Sequence, residues 1–154
     1  MNMKRFLVLA VLVLAGITAA SGQKLVIGEK APDLSVSEWM PSQPDLAGKA
    51  RLIDFYHGLN KDCQAQLTKL NSLASQHSGS MVVMIVSKDG KNAANKPGGL
   101  DKNYYTAYDS GGKTFNAYGI QYVPFSVLLD TRGKVVWFGN ISTLDNATID
   151  KAKK

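Results

Sequence analysis

The chain has 154 residues, of which 45% are hydrophobic and 19% charged, and a formal net charge of +6. These values suit one globular domain, large enough to build its own core without disulfide staples or a structural metal. The basic residues are spread along the chain without aromatic interleaving, which excludes a nucleic-acid platform and leaves the charge as a solubility feature that nominates no partner.

The opening segment MNMKRFLVLAVLVLAGITAASGQ joins a basic start (Lys4, Arg5) to an apolar run from Phe6 to Ile17 and then to small residues at Ala19, Ala20 and Gly22. That is the pattern of a cleaved secretory signal, and the apolar run is too short to span a bilayer comfortably. The expectation is a signal peptide over 1–22 and a single domain over 23–154. The protein is then periplasmic or secreted, with no stable membrane span after cleavage; an uncleaved anchor is the competing reading. No cysteine follows the small residues, so the lipid-anchored form of such a signal is excluded.

VIGEKAPDLSVSEWMPSQPDLAGKA is rich in Pro and Gly and predicts an extension with one or two brief strands. RLIDFY, residues 51–56, is a short apolar run typical of a strand covered on both faces. From Asn60 to His77, Leu67, Leu70, Leu73 and Ala74 recur at helical spacing and predict an amphipathic helix. GSMVVMIVS follows as a second buried strand, so strand, helix and strand make a βαβ unit with a parallel pair.

Residues 87–103, with Pro97, Gly98 and Gly99, read as a long surface loop. YYTAYD reads as a strand and GGKTFNAYGI as a short helix ending at Gly119, because glycine is the usual residue beyond a helix C-terminus. FSVLLD and KVVWFG are apolar runs joined by Thr131, Arg132 and Gly133, which predicts a β-hairpin. STLDNATIDKAKK predicts a closing helix, with Ser142 or Thr143 as cap and lysines in its last turn.

The only cysteine, Cys63, falls in DFYHGLNKDCQ, at the turn from the first buried strand into the helix. Asn60, three residues earlier, is among the best N-cap residues, and its side chain can accept from the Cys63 backbone N–H for about 1 kcal/mol. Two readings of Cys63 stand side by side. One is a small, half-buried and inert hydrophobe; the other is a thiol with a lowered pKa, favoured by the positive end of the helix dipole. Lys61 would help the thiolate and Asp62 oppose it. His57 is either a nearby base or cation for Cys63 or a solvated loop residue.

The order βαβ, helix, hairpin and helix is that of the thioredoxin fold. The sequence resembles the extracytoplasmic TlpA/ResA-type thiol-disulfide oxidoreductases of the thioredoxin-like (redoxin) superfamily. The residues that carry the resemblance are IGEKAPDL with Trp39 downstream, LAGKARLIDFY, YGIQYVPFSVLLDTRGKVVWFG and the last helix. It implies an α/β fold, with a central mixed sheet of about four or five strands flanked by helices and preceded by an N-terminal extension. It also implies a cis bond before Pro124, close to the redox turn.

In that family the turn carries Cys-x-x-Cys. Cys63 matches the second cysteine, and Asn60 stands where the first, attacking thiol belongs. Mixed-disulfide formation followed by intramolecular resolution cannot then run within one chain. The resemblance thus implies a family member without dithiol catalysis, a binding or accessory module that meets an extended polypeptide or a thiol-containing protein at the Asn60, Cys63 and Pro124 surface.

The alternative is a single-cysteine redox enzyme using Cys63, either a peroxiredoxin-like peroxidase or a mixed-disulfide thiol protein. Against the peroxiredoxin pattern, Asn60 stands in place of threonine, Tyr56 or His57 in place of proline, and Pro124 in place of arginine. In a third reading the fold is only a scaffold and the loop over 87–103 carries recognition. Positions 57, 63 and 77 make no spaced metal-ligand set, no phosphate or dinucleotide glycine pattern occurs, and no cofactor is expected. NIS at Asn140 and NAT at Asn146 match the glycosylation acceptor.

Overall fold

The computed structural model describes residues 24–36 and 38–154; the expected signal peptide lies outside the described residues. The chain order is β1 (Glu38–Met40), β2 (Ala50–Tyr56), α1 (Lys61–Gln76), β3 (Met81–Ser87), β4 (Tyr105–Tyr108), α2 (Lys113–Ala117), β5 (Phe125–Leu129), β6 (Val135–Gly139), a 3-10 turn (Ile141–Thr143) and α3 (Asn146–Ala152). The strands form one six-stranded sheet in the order β1-β4-β3-β2-β5-β6. β2, β3 and β4 run parallel, while β1, β5 and β6 pair antiparallel. The mixed sheet has six strands where about four or five are predicted, and the brief strand expected in the extension is β1, which joins the sheet by pairing with β4.

The alternation of side chains along β2 and β3 sorts the apolar residues into two cores. Leu52, Tyr56, Val83 and Ile85 face the side covered by α1 and α3, with Leu70, Leu73, Ile141 and Ile149. Ile53, Phe55, Met84 and Val86 face the other side, with Phe115 and Tyr118 and the extension packed over them. Burying each such Leu, Ile or Phe contributes about 1.5–3 kcal/mol. Both faces of the two central strands are thus covered, which is why their sequences read as continuous apolar runs rather than alternations.

α2 ends where its hydrogen bonding requires. Gly119 takes φ +65°, and the N–H groups of Gly119 and Ile120 donate back to the carbonyls of Asn116 and Phe115 at 3.1 and 3.0 Å. This is a Schellman closure, which turns the chain toward Val123 and Pro124.

The start of α3 differs from the sequence expectation. Its cap is Asp145, whose side chain accepts from the Thr148 N–H at 2.8 Å. Ser142 and Thr143 lie in the 3-10 turn, which Asn140 caps by accepting from the Ser142 N–H at 2.9 Å. Leu144, at φ −78° and ψ 119°, is extended and separates the two. The last turn of α3 carries Lys151, as its sequence indicates.

Residues 88–104 hold no helix or strand. Among the described residues no helix is long and apolar enough to cross a membrane.

Candidate functional site

β2 delivers the chain to the C-terminal edge of the sheet, where His57, Gly58 and Leu59 turn it into α1. Asn60 fixes that turn from both ends of its amide. Its Oδ1 accepts from the Cys63 N–H at 2.9 Å, and its Nδ2 donates to the Val123 carbonyl at 3.2 Å. One side chain therefore caps the helix and ties it to the segment before β5, where the Val123–Pro124 bond is cis. Gly58 donates its N–H to Asp89 Oδ2 at 2.6 Å. A Cβ at Gly58 would lie 2.8 Å from the Asn95 carbonyl oxygen, so the close approach of the loop requires glycine here.

Cys63, at the first turn of α1, points into the core and has no solvent exposure. Burial pushes its thiol up to about 11. The His57 backbone pulls the other way, and the carboxylates of Asp54, Asp62 and Asp89 add to the rise. Desolvation of the charged form is the largest of these effects.

His57 Nδ1 accepts from the Leu59 N–H at 3.2 Å, and its Nε2 lies 3.9 Å from Asp89 Oδ1, so the ring is engaged with its own turn and the neighbouring loop. The structure thus brings Asn60, Cys63 and Val123–Pro124 together and sets His57 beside them, turned toward Asp89. Leu59 and Tyr122, 80% and 68% exposed, are apolar and solvent-facing on the segments that hold Asn60 and Pro124.

One residue of the site was missed by the sequence reading. Asp54 is fully buried on the Cys63 side of β2, between Leu52 and Tyr56. Ser126 Oγ donates to its Oδ1 at 2.7 Å, while Oδ2 has no partner. Burial raises its pKa to about 7, against the lowering effect of the Ser126 hydrogen bond. The signal was present as a lone acid inside the apolar run RLIDFY. An acid there has to be either neutral or paired.

Among the described residues no cluster of three or more His, Cys, Asp or Glu could hold a metal ion.

A mixed sheet with helices on both faces, and a capped helix N-terminus held against a cis proline, give this chain a thioredoxin-like fold. It is similar to the thiol-disulfide oxidoreductase ResA of Bacillus thuringiensis (strain Al Hakam) and of Bacillus anthracis. Each is 28% identical, over 88% of this chain and 86% of the relative. Among solved structures, a candidate thiol:disulfide interchange protein DsbE from Chlorobium tepidum superposes with a TM-score of 0.73 at 23% identity, over 84% of this chain and 99% of that one. The thioredoxin domain of a thiol-disulfide oxidoreductase from Bacteroides vulgatus superposes at 0.64 with 20% identity, over 82% and 94%. No protein-family model matches the chain.

Proposed function

We propose that this chain is an extracytoplasmic, signal-bearing relative of the thiol-disulfide oxidoreductases that lacks dithiol catalysis and acts as a binding or accessory module. The observation that carries the reading is Asn60. It occupies the N-cap three residues before Cys63, the position of an attacking thiol in Cys-x-x-Cys, and uses both ends of its amide to hold the turn. Cys63 supports it, since a thiol without exposure and with a pKa near 11 is not a ready nucleophile. The same burial weighs against a one-cysteine peroxidase or mixed-disulfide protein. Exposed Leu59 and Tyr122 supply apolar contact beside the turn for an extended polypeptide or a thiol protein.

Dithiol-driven reduction of a model disulfide tests the reading. The wild type is expected to stay at background. Asn60→Cys restores two sulfurs across one helical turn and should gain a reversible disulfide and weak reductase activity. Loss of the cap costs about 1 kcal/mol, which a domain survives. Robust turnover by the wild type overturns the proposal. Rapid labelling of wild-type Cys63 by a thiol reagent near neutral pH would favour the one-cysteine enzyme.

A further inference from the structure

A cavity lies across the sheet from Cys63 and near the other end of β2, between the extension and the apolar face that holds Ile53 and Met84. Its volume is about 200 Å³. A cavity of about 150 Å³ accepts benzene, so there is room for an aryl or branched aliphatic group. Trp39, Leu34, Ile53 and Met84 give it apolar wall, and Lys30, Asp33, Gln43 and Arg51 give it polar and charged wall.

Arg51 stands out among the polar wall residues. It is the second residue of β2, and five residue steps at about 3.3 Å set it roughly 16 Å from Tyr56, where the Asn60 turn begins. Its Nε is buried and has no hydrogen-bond partner. Among the described residues no carboxylate lies within ion-pair distance of it, although exposed Asp33 lines the same cavity. The guanidinium lies along the hairpin turn, where a Cβ at Gly133 would come within 3.3 Å of Nη1, and Gly133 has φ +83°. Lys30, also lining the cavity, adds a second cation.

A buried guanidinium donor without an acceptor is costly, and arginine is the side chain suited to a bidentate carboxylate. The neighbouring Tyr118 hydroxyl donates to the Pro32 carbonyl at 2.7 Å, and Arg51 Nε is left without a partner.

We propose that this cavity is a binding site for a small carboxylate with an apolar tail, its carboxylate received by Arg51 and its tail lodged against Trp39, Leu34 and Val36. The site is separate from the Asn60 turn and does not depend on any chemistry at Cys63.

Isothermal titration of the purified protein with 3-phenylpropionate, 3-phenylpropanol and 3-phenylpropylamine tests it. The acid is expected to bind saturably, with the alcohol and the amine weaker by at least about tenfold, the scale of one charge-assisted hydrogen bond. Arg51→Gln should weaken the acid by a similar factor and leave the alcohol unchanged. Leu34→Trp, which fills the cavity from a half-buried wall position, should abolish binding of the acid, and it keeps the test decisive if Arg51→Gln fails to fold. Equal binding of acid and alcohol by the wild type, or no saturable binding of the acid, overturns the assignment.

Discussion

Asp54 makes the stability of this protein depend on pH in a defined direction. Its carboxyl is buried, and its pKa is raised from 3.8 to about 7. The folded state therefore holds the proton more tightly than the unfolded chain does. The resulting stability is fully present below the unfolded value of 3.8 and is lost as pH rises through about 7. Asp54→Asn keeps the shape and removes the charge. It should match the wild type in acid and exceed it above neutral pH by an amount on the order of a few kcal/mol. Urea denaturation on either side of the window measures this, and an Asn variant less stable than wild type at alkaline pH would contradict it. The sequence displayed this acid but did not reveal its neighbours. Ser126, its hydrogen-bonding partner, lies 72 residues away on β5, and only the antiparallel pairing of β2 with β5 brings the two together.

At the scale of elements, legibility followed burial. β2 and β3 could be read from the sequence because both of their faces are covered, and α1 because Leu70, Leu73 and Ala74 repeat along its buried side. β1 has three residues and only partial burial, so its sequence carries almost no period. The start of α3 was misread because three residue types suited to capping, Ser142, Thr143 and Asp145, crowd one short stretch. Extended Leu144 decides between them.

The docking of the loop after β3 was not legible at all, because its ties run to backbone carbonyls. Tyr56 Oη donates to the Asn95 carbonyl at 2.7 Å, and Tyr104 Oη donates to that of Pro97. Gly98 is the sensitive point of this loop, since a Cβ there would stand 2.5 Å from Thr106 Oγ1 on buried β4. Gly98→Ala is expected to cost about 1–3 kcal/mol, as overpacking does. Adding Thr106→Ala should recover part of that loss, because the crowding hydroxyl goes while its Cβ, at 3.2 Å, stays. Strict additivity of the two substitutions in urea denaturation would show that the loop moves aside instead.

For the whole molecule, the question is whether the extension folds with the domain or merely lies on it. β2 and β3 send alternate side chains into both cores, so neither face can lose its packing without unsupporting the strands that hold the other. The extension is bound into the same sheet. β1 pairs with β4, Lys30 bridges Lys134, and the Gly28 N–H donates to the Val135 carbonyl at 2.8 Å. One cooperative transition is therefore expected. The two tryptophans are placed to test it, because Trp39 on edge strand β1 packs against one core and Trp137 on the opposite edge strand β6 packs against the other. Trp137→Phe leaves Trp39 as the sole reporter of the extension, and Trp39→Phe leaves Trp137 to report on the face covered by α1 and α3. In each variant the fluorescence midpoint in urea should coincide with the far-ultraviolet circular dichroism midpoint of the same variant. Comparing probes within one variant removes any stability change caused by the substitution itself. A Trp39 transition at lower urea than the loss of secondary structure would mean that the extension releases first, as a separate and weaker unit. The cavity beside Arg51 would then open before the domain unfolds.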